Sequence, residues 1–318
     1  MSDSTHTGPM LAADGTPLKR SLRRALRAQK MRALALIAPL LIFVLLTFIA
    51  PIVDMLFRSV ENQIVGNTLP MTVEELRDWD ATEVPGEQVF RALFFDLFLA
   101  AEAKEHTKLG SRLNYEKSGI SSLFRTSGRD MNDIGEVFQD ALEEIDPAFA
   151  EATTWVEMMS GGAGAEPNTR LMSNQIARLE ALEATTFSGE AEFLPGAAIS
   201  DILPNTARAY AAFAAFTQFV DGKSVTKEEP WEAVYAALAL DLEDPATKTA
   251  LENYAGPGAD SLRAATAATL PPIAMREAFF ESNKDWANTT FWETIKTYSP
   301  PYTTGYFLNA VDMEKTPQ

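Results

Sequence analysis

The chain contains no cysteine, which excludes disulfides, thiol nucleophiles, zinc ribbons and cysteine-ligated clusters. It has only two histidines, His6 and His106, so a histidine-rich metal site or a Ser-His-Asp triad has almost nothing to draw on. An excess of positive charge is also missing. With 44 acidic against 27 basic side chains the net charge is −17, the wrong sign for general nucleic-acid binding, where cations must neutralise phosphates. Alternating β-branched runs of the kind strands need are scarce outside a single apolar stretch. Glycine-rich phosphate loops are absent too: Gly161, Gly162 and Gly164 come closest, but no Lys-Ser/Thr pair follows them and no strand pattern precedes them. They read as a turn.

What is present divides the chain. Up to Arg32 there are seven basic residues (Lys19, Arg20, Arg23, Arg24, Arg27, Lys30, Arg32) and two acidic ones (Asp3, Asp14), a balance of +5; the remainder carries −22. Between the two pools runs Ala33 to Val53, 21 residues without a charge, amide or histidine. As a helix it would reach roughly 31 Å, the thickness of a bilayer's hydrocarbon core. A cleaved signal peptide has an apolar core of roughly 7–15 residues behind a brief basic region, and no clean small-x-small site closes this one, so an uncleaved anchor is expected. Pro39 and Pro51 each remove a backbone donor, which predicts a kinked or frayed helix.

The basic flank predicts orientation, since Lys and Arg stay on the cytoplasmic side. The expected location is a bacterial inner membrane, with residues 1–32 as a cytoplasmic tail, 33–54 spanning, and everything after about Asp54 periplasmic. Leu18, Leu22 and Leu26 recur at helical spacing among the charges, the pattern of an amphipathic segment on the inner surface. Met1 to Thr16 reads as disordered.

Beyond the span, residues 55–86 read as a connector broken by Gly66, Asn67, Pro70, Pro85 and Gly86, with one short helix opening at the capping box Thr72-x-x-Glu75. From 87 to 318 helical periodicity dominates. Phe90, Leu93, Phe94, Leu97 and Phe98 make one apolar face, as do Tyr210, Phe213, Phe216, Phe219 and Val220, and again Trp231, Val234, Tyr235, Leu238 and Leu242. Such aromatic stripes signal core packing before they signal a ligand-stacking surface. Asp146-Pro147 and Asp244-Pro245 mark helix starts, and so does Thr290-x-x-Glu293. The fold class expected is all-α: one N-terminal transmembrane helix and a helical extracytoplasmic domain. The segment Ser160 to Asn168 is its clearest break, a candidate divide between two lobes. No repeat of fixed period is visible.

Candidate chemistry is thin. The acidic clusters Asp130/Asp133, Glu143/Glu144, Glu228/Glu229 and Asp241/Glu243/Asp244 lack the ligand spacing of a calcium loop and read as solvated helix faces. Paired carboxylates could serve glycoside hydrolysis, but spacing along a chain does not establish a pair across a cleft. His6 and His106 have no nucleophile or second ligand beside them. Asn288-Thr289-Thr290 fits a glycosylation pattern but suits a helix cap better. No catalytic, metal or cofactor-binding residue is therefore assigned, no cofactor is expected, and the chain is not expected to be an enzyme.

The segment LLIFVLLTFIAPIVDMLFRSV, Leu40 to Val60, resembles the first spanning helix of permease subunits of binding-protein-dependent ABC importers, particularly the spermidine/putrescine type. Near the other end, Phe279-Phe280-Glu281-Ser282-Asn283-Lys284-Asp285-Trp286, then Phe291 to Lys296 and Pro301-Tyr302-Thr303 to Asp312-Met313, resembles the stretch that leads back to the second spanning helix where the first periplasmic loop is enlarged. Together these segments make up less than a fifth of the chain. The resemblance implies solute import and four partners: the membrane, a cognate permease subunit, a cytoplasmic ATPase subunit and a periplasmic substrate-binding protein. Family members continue through further spanning helices to a Glu-Ala-Ala…Gly motif that docks on the ATPase; here neither is present. The resemblance thus implies an N-terminal piece or split subunit, not transport-competent alone. A single-pass periplasmic scaffold or protein-binding module is the alternative, and a membrane-anchored hydrolase a third.

Overall fold

The computed structural model describes residues 18–60, 62–184 and 189–302. Among them there is no β-strand, only one isolated antiparallel bridge, Pro167 with Gly196. The all-α expectation holds. The chain forms two units, one ending at Glu61 and one spanning 62–303.

The first unit is one unbroken helical rod: α1 (Leu18–Val44), a π-helical turn (Leu45–Ile49) and α2 (Ala50–Val60). Pro39 lies inside α1. The widened turn sits immediately before Pro51, whose ring would collide with the carbonyl four residues back in an α-helix. Within this rod Gln29–Phe57 is long and apolar enough to cross a membrane, with a mean hydropathy of 2.8 and none of its apolar window buried in the protein. The tail expected to be disordered, Met1 to Thr16, lies outside the described residues, as do the side chains of Leu18 and Leu22.

The second unit opens with α3 (Ile64–Thr68) and α4 (Pro70–Glu75). Residues 62–86, expected to be a connector, are instead part of this unit, because Val65, Leu69 and Leu76 are fully or almost fully buried in its core. Then follow α5 (Glu87–Glu102), α6 (His106–Asn114), α7 (Ile120–Arg129), α8 (Met131–Ile145), a 3-10 turn (Pro147–Ala150) and α9 (Ala152–Ser160). After a linking helix, α10 (Thr169–Ala181), come α11 (Ala197–Ile202), α12 (Pro204–Phe219), α13 (Glu232–Asp241), α14 (Pro245–Asn253), α15 (Ala259–Ala267), α16 (Met275–Ser282), a second 3-10 turn (Lys284–Ala287) and α17 (Thr289–Thr297).

The series from α11 repeats the series from α3, element for element, and the same local devices recur at matching places. Leu69-Pro70-Met71-Thr72 enters α4 as Leu203-Pro204-Asn205-Thr206 enters α12, with leucine at φ −122° and −121° and proline in the first turn. Glu87, Val89, Ala92, Leu93, Asp96 and Leu97 of the α5 segment recur as Glu232, Val234, Ala237, Leu238, Asp241 and Leu242. Gly119 and Gly258, left-handed at φ 98° and 73°, precede α7 and α15, each followed three residues on by Ser-Leu, a conformation that costs glycine little. Each 3-10 turn is capped by its preceding side chain, Asp146 or Asn283. From each the following helix folds back a tryptophan: Nε1 of Trp155 donates to the Phe149 carbonyl at 2.7 Å, and Nε1 of Trp292 to that of Trp286 at 2.8 Å. A fixed-period search misses this because loop lengths differ between the halves. Thr72 is likewise no helix cap; Leu69 holds that place.

The candidate divide near 160–168 does not separate the halves. Met159 and Glu166 accept hydrogen bonds from Gly196 and Ala197, and one apolar core runs through both halves, with the aromatic stripes of α5, α12 and α13 in it. Val220, past the end of α12, is exposed. Gly161, Gly162 and Gly164 all take positive φ, the turn expected of them. Asp146 caps the 3-10 turn rather than an α-helix, Asp244 caps α14, and Asn288, not Thr290, caps α17.

The two ends of the unit are clasped. The Asn62 backbone N–H donates to the Pro301 carbonyl at 2.8 Å, and its side-chain amide donates to the Tyr298 carbonyl.

Candidate functional site

The repeat places a buried aspartate at the N-terminus of a helix in each half. Asp96 on α5 is wholly buried, and its Oδ2 accepts from the backbone N–H and hydroxyl of Thr72 at 2.7 and 2.8 Å. Asp241 on α13, 3% exposed, accepts from the N–H and hydroxyl of Thr206 at 2.8 and 2.7 Å. Leucine cannot cap a helix with its side chain, so a carboxylate from the neighbouring helix satisfies the free N–H groups of the first turn, where the helix dipole favours it. Asp241 was expected on a solvated face; burial corrects that. Asp96 carried no sequence signal, since a lone acid within an apolar stripe looks like a surface position.

The second oxygens differ. Oδ1 of Asp241 takes the amide of Asn205 at 2.8 Å, whereas Oδ1 of Asp96 takes Arg178 of α10 at 2.6 Å. Burial pushes both carboxyls up, while the donors around them, and at Asp96 the guanidinium, pull the other way.

Arg178 also borders the slot where the two halves meet. Its walls come from α5 (Phe95, Phe98, Leu99), from α12 (Ala209, Ala212) and from Trp231 at the start of α13. Its polar edge comes from Gln175 and Arg178 on α10 and from Asn205 and Arg208 on α12. The cavity itself is small, about 30 Å³, room for a water or two. Trp231 is held by ring contacts to Phe98, Phe213 and Phe216 with centroids 5.2–5.7 Å apart. Two side-chain atoms of these lining residues, Oε1 of Gln175 and Nε of Arg178, are sealed from solvent and make no hydrogen bond among the described residues.

The remaining candidates take structural roles or stay apart. His106 is buried on α6 with Nδ1 3.3 Å from the Ala100 carbonyl, and burial lowers its pKa. It packs so closely on Gly128 that a Cβ there would lie 2.4 Å from the ring. Asp130 accepts from the Ser282 hydroxyl at 2.6 Å. Among the described residues no three His, Asp or Glu side chains gather as a metal site would require; His6 lies outside them.

Glu143 and Glu229 do come together, both accepting from the Gln139 amide, at 2.9 and 2.6 Å. The Glu229 carboxyl is raised above its ordinary range, first by desolvation and then by the charge of Glu143. A raised folded-state value means that its stabilising contribution is full at low pH and is lost as pH rises through that value. Glu229→Gln is therefore expected to raise the thermal midpoint at pH 7 and to leave it unchanged near pH 4, read by circular dichroism melts at both.

Comparison with protein-family models, with curated proteins and with solved structures returned no match to this chain. Its class rests on its own fold: an all-α protein with one N-terminal helix long and apolar enough to cross a membrane, followed by a duplicated helical unit.

Proposed function

We propose that this chain is part of the permease subunit of an ABC importer for a small solute, a polyamine in the reading the sequence resemblance favours. The apolar rod is its first spanning helix, and the duplicated unit is an enlarged periplasmic loop. The observation that carries this is the clasp between Asn62 and the Tyr298–Pro301 segment. A unit whose entry and exit are hydrogen-bonded together can be inserted between consecutive spanning helices without forcing them apart. A free-standing scaffold on a single anchor has no need of such closure. The basic flank of the span sets the unit outside the cytoplasm, so partner contacts would fall to a cognate permease subunit and a substrate-binding protein there, and to an ATPase within.

Purification of the tagged chain from its native membranes tests this. The expected result is co-purification of a nucleotide-hydrolysing subunit and of a multi-span membrane subunit; recovery with neither would leave the scaffold reading in its place. Orientation is checked separately by alkaline phosphatase fused after Val60, which should be active. An inactive phosphatase there, with an active cytoplasmic reporter, would invert the topology.

A further inference from the structure

We propose that the clasped end of the second unit is a lipid-docking surface, which meets the headgroup layer through Tyr115 and Tyr302. This rests on the apolar rod being a membrane span and on no other part of the importer reading. Covalent geometry brings that end to the bilayer. Phe57 closes the membrane-length stretch, the helix runs on to Val60, and Glu61 alone separates Val60 from the clasped Asn62. Helical rise plus two extended residues allows at most about 12 Å between Phe57 and Asn62.

Both chain segments that form the clasp suit that layer. Residues 62–73 and 297–311 carry no charged side chain, although 22% of the chain is charged. An acidic surface would be repelled by lipid phosphates, whereas these segments offer amides, hydroxyls and aromatic rings. Three of the chain's seven tyrosines, Tyr298, Tyr302 and Tyr306, fall in the second segment, and tyrosine, with its apolar ring and polar tip, is a residue of membrane interfaces. Among the described residues of the unit the most exposed large apolar side chains are Tyr115, at 87%, and Tyr302, at 64%. Both adjoin the clasp. Tyr302 follows Pro301, whose carbonyl takes the Asn62 N–H. Tyr115 precedes Glu116, which accepts the Tyr298 hydroxyl at 2.6 Å and whose charge is met by Arg112 at 3.1 Å.

The duplication supplies the contrast. Asn114-Tyr115 ends α6 as Asn253-Tyr254 ends α14, and each tyrosine stands four residues before the left-handed Gly119 or Gly258. Tyr254 is half-buried, and its hydroxyl donates to the Pro257 carbonyl at 3.3 Å. It folds over Gly256, where a Cβ would lie 2.2 Å from that hydroxyl. Lys117 holds the place of Gly256 in the first half, so its own Cβ bars Tyr115 from folding the same way. Tyr115 stands out in solvent instead, with no hydrogen bond from its hydroxyl among the described residues, and Lys117 beside it adds a cation for lipid phosphates. The half that Asn62 joins to the span is the half whose tyrosine is turned out.

The test uses the full chain, which has no cysteine of its own, in phosphatidylcholine nanodiscs with or without a lipid spin-labelled at its headgroup. The fluorophore bimane is attached through Met55→Cys in the rod, Ser118→Cys in the loop after Tyr115, or Ala255→Cys beside Tyr254, all three being exposed positions. The spin-labelled lipid is expected to quench the label at Met55→Cys and at Ser118→Cys and to leave the label at Ala255→Cys bright. Adding Tyr115→Ser and Tyr302→Ser, both on exposed side chains, should restore most of the fluorescence lost at Ser118→Cys without altering Met55→Cys. Quenching at Met55→Cys alone would overturn the docking surface and leave the span standing. Equal quenching at Ser118→Cys and Ala255→Cys, or quenching at Ser118→Cys that the two serine substitutions leave unchanged, would overturn it as well. With no quenching at Met55→Cys the span itself fails, and the docking surface with it. None of these outcomes depends on partner subunits, so the importer reading can fail while this one stands, and the reverse.

Discussion

Asp96→Ala is expected to destabilise the helical unit by about 3–5 kcal/mol, because it leaves the mostly buried Arg178 guanidinium without its counter-ion. It also strips the N-terminus of α4 of the carboxylate that satisfies the Thr72 N–H and hydroxyl. For a unit of this size the thermal midpoint should fall by on the order of 10 °C. Asp241→Ala removes the equivalent carboxylate of the second half, but its partners, Thr206 and Asn205, are neutral. Its cost should be smaller, about 1–3 kcal/mol. Adding Arg178→Met to Asp96→Ala should recover part of the loss, since an apolar side chain in place of a buried ion pair is nearly neutral. The measurement is a set of denaturant melts on these three variants and the wild type. If Asp96→Ala proved no worse than Asp241→Ala, or if Arg178→Met recovered nothing, the ion pair would not carry the role assigned to it.

Leu41→Arg combined with Leu45→Arg should remove the chain from the membrane. Both leucines lie in the middle of the apolar rod and are about half exposed there. Each arginine near the centre of a span costs about 2.5–3.5 kcal/mol of insertion free energy, and two within four residues cannot both snorkel to the same interface. The wild-type chain should resist carbonate extraction of membranes and the double variant should not. The unit from Asn62 onward should keep its helical circular dichroism in both, since its core contains no residue of the rod. A double variant that remained in the carbonate-washed pellet would show that something other than this helix holds the chain there.

The helices were legible because their signals are local. The stripe Phe90-Leu93-Phe94-Leu97-Phe98 needs only the 3.6-residue period to declare a buried face, and Asp244-Pro245 needs only two residues to announce a start. The buried aspartates were not legible. Asp241 sits next to Glu243 and Asp244 in sequence and looks like one of a surface cluster, yet it turns inward to Thr206, 35 residues earlier. The duplication lay in plain text, in Leu69-Pro70-Met71-Thr72 and Leu203-Pro204-Asn205-Thr206, but insertions shift the matching positions by between 134 and 145 residues. Only the recurrence of identical hydrogen bonds makes the equivalence plain.

His106 is spent on packing against Gly128, and the buried Asp96 and Asp241 hold the N-termini of α4 and α12. By itself the sequence determined the class of structure, helical, with one apolar segment of membrane length, because hydrophobic period and run length act through neighbours a few residues apart. The tertiary structure alone decided that residues 62–86 belong to the core, that two halves repeat, and that Gln175, Arg178 and Arg208 share one edge. Those facts depend on which helices pack together, and packing between distant segments is set by the shapes of whole faces rather than by any residue's neighbours along the chain.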